Sequence, residues 1–264
     1  MPERPLEMGE LNEWFAGYCR GFACDGPGQR NYDLKELHTR NVQEAARLIA
    51  AGGEPRRAFL AEACAIFHDL GRFPQYRQYG TFKDSASVNH AHLSAQVLVA
   101  SGLLERFPED ERDDLLTAVR LHNVFALPAG LSPRGADLLR LIRDADKLDI
   151  WRVFVEHYHT PPAEQASAAT LGFPDLPGYS PKVIASLERG EMALLEEVTR
   201  INDFKLLQLS WVYDINFPAT LALVRERRLL ERLVETIPED GRILALFEKI
   251  QRFLEERLAS SVGT

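Results

Sequence analysis

Apolar residues recur at spacings of three and four along nearly the whole chain and strict alternation is rare, so the pattern predicts an all-α protein. In NYDLKELHTRNVQEAARLIA, Asp33 with Glu36 three residues on reads as a helix start. Leu34, Leu37, His38, Asn41, Val42, Ala45 and Leu48 then follow helical spacing. A second helix is expected from Pro55, a favoured first position, to an end near Gly71, which puts His68 and Asp69 in its last turn. RFPQYRQYGTFKDSAS reads as an aromatic loop. Ser85 or Ser87 then opens a third helix with His90, Ser94 and Val97 on one face, while His92 falls about 200° around the wheel. PEDERDDLLTAVRLHN caps acidically and ends its apolar stripe on His122, and LSPRGADLLRLIRDADKLDIWRVF sets Asp146 where an apolar residue is expected.

After residue 159, TPPAEQASAATLGFPDLPGYSP is long and rich in Pro, Gly and Ala, which predicts a functional lid or a linker. Helical patterning resumes from Pro181 and closes on GRILALFEKIQRFLEERL. The expected organisation is a core over 1–159 and a helical extension over 160–264 packing on it as one compact unit.

Composition narrows the function. At 264 residues and 45% hydrophobic, the chain can bury a substantial core. A net charge of −8 with dispersed basic residues argues against a polynucleotide partner. Cys19, Cys24 and Cys64 are an odd set without paired zinc spacing, which fits a reduced, cytoplasmic setting. The N-terminus has no signal core and no apolar run approaches the roughly 20 residues that span a bilayer, so no membrane partner is expected.

Five helix faces turn a ligand-capable side chain toward the interior: His38, the His68-Asp69 doublet, His90, His122 and Asp146. One buried histidine needs only a hydrogen-bond partner. Six such groups need mutual compensation, which a divalent metal supplies at once; the alternative is a hydrogen-bonded core network.

The order H…HD…H…H…D, with the first histidine in HTRNVQEAA, the doublet in FHDLGRF and the last acid in RDADKLD, resembles the HD superfamily of metal-dependent phosphohydrolases over residues 33 to 155. NHAHLSAQVL and AVRLHN fall in the same order, one ligand to a helix. The resemblance implies an HD-domain helical bundle in which His38, His68, Asp69 and Asp146 hold a first transition metal, Mn, Fe, Co, Ni or Zn. It further implies that His90 and His122 bind a second ion, with Asp69 bridging and catalytic, or act as acid and base around a single one. His122-Asn123 departs from the consecutive histidines of cyclic-di-nucleotide hydrolases and weakens the second site. His92 is the poorer ligand candidate, and His157 and His159 read as a solvated helix end.

The implied reaction is attack of metal-activated water on the phosphorus of a nucleotide or other small phosphate ester. No P-loop or GxSxG elbow points elsewhere. Substrate charge must be met locally. Arg72, Arg77, Lys83, Arg143 and Lys147 are candidates, with Arg72 and Lys147 best placed beside proposed ligands. Phe73, Tyr76, Tyr79 and Phe82 either wall the pocket or pin the loop to the core. Two other classes stay open: a mixed-valent di-iron oxygenase on the same scaffold, and a non-catalytic metal-binding sensor. A homo-oligomer is also left open.

Overall fold

A computed structural model describes residues 6–161 and 172–261; they contain helices and turns and no strand. Among the described residues, those through Asp149 cluster as one compact unit and those from Ile150 onward as a second.

The first unit contains α1 (Met8–Arg20), α2 (Gln29–Ile49), α3 (Pro55–Phe67), α4 (Arg72–Tyr79), α5 (His90–Ala100), α6 (Glu109–Leu121) and most of α7 (Pro133–His159). α3 is its centre, with α1, α2, α5 and α6 packed around it. The sequence of α3 explains that position, since Leu60, Ala63, Cys64, Ile66 and Phe67 are all buried and the alanines let neighbouring helices approach. Ion pairs fasten its start: Arg56 to the buried Glu111 of α6, and Arg57 to Asp137 of α7 at 2.7 Å.

Several boundaries differ from the pattern reading. α2 begins at Gln29, one turn before the Asp33 cap, because Gln29 itself ties the start: its Oε1 accepts from Cys24 N at 2.8 Å and its Nε2 donates to Asp33 at 2.7 Å. α3 ends at Phe67, so His68 is its C-cap and Asp69 lies in the following turn. The aromatic segment is helical over Arg72–Tyr79. Pro74 does not forbid this, because it occupies the first turn, where a missing N–H forfeits no intrahelical bond. Phe73 is buried beside Phe15, Tyr18 and Tyr32, and Tyr76 accepts from Asn31 Nδ2 at 2.8 Å, so two of the four aromatics pin this segment to the core. Asn89, not a serine, caps α5, accepting from His92 N at 3.0 Å.

In the second unit, the end of α7 is followed by α8 (Pro181–Arg189), α9 (Ile201–Ser210), α10 (Pro218–Glu226), α11 (Leu229–Val234) and α12 (Gly241–Ser261). α9 runs through the middle, packed on α8 and α11, and Trp151 donates to the carbonyl of Gln208 at 2.9 Å. The buried Asp203 accepts from Ser180 N, Thr199 N and Thr199 Oγ1 and so anchors the chain entering α8 and α9. Residues 162–171 of the expected lid or linker lie outside the described residues.

Candidate metal centre

The helices of the first unit bring the six sequence-selected residues to one place, although 108 positions separate His38 from Asp146. His38 comes from the middle of α2, His68 and Asp69 from the C-terminal end of α3, His90 from the first residue of α5, His122 from the C-cap of α6 and Asp146 from α7. The two oxygens of Asp69 divide the group. Oδ2 lies 3.6 Å from His38 Nε2 and 3.8 Å from His68 Nε2, while Oδ1 lies 3.6 Å from His90 Nε2 and 3.9 Å from His122 Nε2. Asp146 joins the first half through Oδ1, 3.1 Å from His38 Nε2 and 3.7 Å from His68 Nε2.

Gly71 makes this convergence possible. A Cβ there would lie 2.5 Å from both the His90 carbonyl oxygen and Ser94 N, so only glycine lets the turn after the doublet press against α5. Gly71 N also donates to the buried Ser94 Oγ at 2.8 Å, which gives Ser94 its place four residues after His90.

The ring orientations are fixed from outside. His68 Nδ1–H donates to the Ala65 carbonyl at 2.7 Å and His122 Nδ1–H to the Val119 carbonyl at 2.8 Å; a carbonyl can only accept, so Nδ1 carries the proton in both. Carboxylates do the same for the other two, Asp149 facing His38 Nδ1 at 2.7 Å and Asp84 facing His90 Nδ1 at 2.6 Å. All four Nε2 atoms therefore turn inward with a lone pair when the rings are neutral. They stand 3.3 Å apart in the His38–His68 pair and 3.0 Å apart in the His90–His122 pair. Lone pairs facing each other and a shared carboxylate in a buried space require a cation or protons between them.

The electrostatics show where that positive charge is wanted. Burial and the neighbouring Lys35 push His38 down, yet hydrogen bonds that its ring donates to Asp146 and Asp149 outweigh them and lift it to about 8. His122 goes the other way, driven down to about 3 by burial and by His90 and His68. His90 is also lowered, by burial first and then by Arg72. Burial opposes ionisation of Asp69, but the charges of Lys35, His68, Arg72 and His90 hold its carboxyl well below the usual range. The donor set fits divalent transition metal ions: nitrogen and carboxylate donors in two groups, His38, His68 and Asp69 in one and Asp69, His90 and His122 in the other, with Asp146 at the edge of the first.

The basic candidates separate. Arg72 lies against the centre, its Nε 3.4 Å from Asp69 Oδ1, but its Nη1 is committed to Gln75 Oε1, the Phe82 carbonyl and Asp84 Oδ1. Lys147 is buried on α7. Arg143 donates to the carbonyls of Val124 and Phe125 and so ties down the loop after α6, while Arg77 caps the Gly21 carbonyl and covers Phe22. His92 is exposed on the far side of α5. His159 is exposed as expected, whereas His157 is half-buried against Phe154 and Tyr158.

Three further residues take part that the sequence does not single out as site residues, although Asp149 falls on the same helical stripe as Asp146. Lys35, one turn before His38 on α2, donates to Asp69 Oδ2 at 2.7 Å. Asp149, three residues after Asp146, lies on the same face of α7, and this spacing is the signal that could have found it. Asp84 sits in a short turn between α4 and α5 that carries no period. Asn123 turns its amide toward Asp84 Oδ2 at 3.4 Å and Asn89 Oδ1 at 3.3 Å.

Residues 37–151 match the family model described as the HD domain, a stretch containing all six central residues. No curated protein and no solved structure gives a significant match to the chain.

Proposed function

Since residues 37–151 form an HD domain, a domain of metal-dependent hydrolase type, we propose that this chain is a phosphohydrolase acting on a small phosphate ester such as a nucleotide. The observation that carries the reading is the division of Asp69, whose two oxygens each face a pair of inward-turned imidazole nitrogens. His38, His68, Asp69 and Asp146 would hold one divalent ion and Asp69, His90 and His122 a second. When bound, such ions lower the pKa of coordinated water toward neutrality and neutralise charge on phosphoryl oxygens.

The chain's own residues supply the rest. Asp149, Asp84 and the carbonyls of Ala65 and Val119 keep the four rings aimed. Lys35 Nζ and Arg72 Nε bring positive charge to opposite oxygens of Asp69, where an anionic substrate would add negative charge. Phe82 lies beneath both cations, 5.3 Å from Lys35 Nζ and 5.8 Å from the Arg72 guanidinium, and restricts where they can swing. The proposed partner is a small phosphorylated molecule in the cytoplasm; among the described residues no helix is long and apolar enough to cross a membrane.

The test is a panel of phosphorylated metabolites incubated anaerobically with protein loaded with Mn²⁺ or Co²⁺. Phosphate release supports the proposal. Turnover that requires O₂ and iron, with no phosphate release under anaerobic conditions, would replace it with the oxygenase alternative.

A further inference from the structure

We propose that Asp84 is a positioning residue that keeps the proton of His90 on Nδ1 and its Nε2 lone pair facing Asp69. The benefit to a second ion rests on the two-ion reading above; the control of the ring does not.

Each hydrogen-bonding contact described for Asp84 is a donor. Its Oδ1 receives Arg72 Nη1 and Gln75 Nε2, both at 3.0 Å. Its Oδ2 receives His90 Nδ1 at 2.6 Å and, more distantly, His90 N and Asn123 Nδ2, both at 3.4 Å. The fully buried Gln75 cannot turn over to relieve this, because its Oε1 accepts from Arg72 at 3.0 Å while its Nε2 also serves Ser87 Oγ at 2.9 Å and the Val88 carbonyl at 3.0 Å. An acceptor is thus compulsory on the Arg72 side.

Asp84→Asn exploits that compulsion. The new amide keeps its oxygen toward the two 3.0 Å donors, Arg72 and Gln75, over the two 3.4 Å contacts from His90 N and Asn123, and so turns its NH₂ toward His90 Nδ1. Two donors cannot face each other, so Nδ1 must become the acceptor and the ring proton moves to Nε2. There it points at Asp69 Oδ1 and His122 Nε2 and occupies the lone pair a metal needs. The substitution barely changes shape, so its effect is on the tautomer and not on packing.

The experiment uses the full chain labelled with ¹⁵N-histidine, stripped of metal, and records long-range ¹H–¹⁵N spectra of the rings, with His90 assigned from a His90→Gln spectrum. Wild type should show His90 protonated on Nδ1, and Asp84→Asn should show it protonated on Nε2. Co²⁺ titrated into the same proteins should bind a second equivalent about 10- to 100-fold more weakly in Asp84→Asn, with the first unchanged. A wild-type His90 protonated on Nε2 overturns the proposal even if the variant fails to fold, as does a variant whose ring stays protonated on Nδ1. If wild type takes up one Co²⁺ in total, the two-ion reading fails and the ring spectra alone decide the part played by Asp84.

Discussion

Gly71→Ala is the smallest change that should disturb the centre without removing a proposed ligand side chain. The added Cβ would meet the His90 carbonyl oxygen and Ser94 N at 2.5 Å and the Leu93 carbonyl carbon at 2.9 Å. All three are backbone atoms at the start of α5, so no side chain can swing away. Restoring ordinary contact at 3.4 Å requires α5 to retreat by about 0.9 Å, a forced overpacking whose cost is about 1–3 kcal/mol. For a chain of this size that corresponds to a fall in Tm of roughly 2–12 °C. The backbone that moves carries His90, and the hydrogen bond from Gly71 N to Ser94 Oγ is stretched with it. Thermal unfolding of the metal-free protein reads the first effect and metal titration the second, which should appear as weaker uptake in the half formed by His90 and His122. Gly9→Ala is the control: nothing lies within 4 Å of its added Cβ, and it should stabilise α1 by about 0.4–1 kcal/mol. A Gly71→Ala protein that melts and binds metal like wild type would refute the close-approach argument.

Lys35→Met should lower turnover of an anionic substrate at least tenfold while leaving metal content intact, since it removes a cation from Asp69 Oδ2 and no proposed ligand; unchanged kinetics would remove Lys35 from the proposed site. Asp149→Asn should weaken the first ion about 10- to 100-fold by releasing the His38 ring, and equal affinity in a Co²⁺ titration would contradict that role. Because metal-free His38 is lifted to about 8, its ring is charged below that pH and must lose its proton to become a ligand. Binding should therefore release a proton at pH 7 and cease to do so well above pH 8, and affinity for the first ion should fall about tenfold per pH unit on acidification below 8. Calorimetry in buffers of different ionisation enthalpy measures the count, and no proton release at pH 7 would refute it.

What could be read from the sequence was what repeats. His38, His90, His122 and Asp146 stand out because each interrupts a helical stripe that should be apolar, and α3 announces itself by its proline start. The orienting groups are less visible for a physical reason: they need only reach the outer nitrogen of a ring. Asp84 does so from a turn without periodicity, and the Ala65 and Val119 carbonyls do so from backbone that every residue possesses. Lys35 resembles an ordinary solvated charge until α2 is placed against α3. The segment Arg72–Tyr79 reads as an aromatic loop in the sequence, yet it is helical, with Pro74 in the first turn, where proline is tolerated.

The central claim, that Asp69 anchors two ions through its two oxygens, is tested most directly by titrating Mn²⁺ into metal-free wild type, Asp69→Asn and Asp69→Ala and counting bound ions after gel filtration. Two ions in wild type and none retained in either variant is the expected result. Full occupancy of both variants, or wild type that binds fewer than two ions, would contradict it.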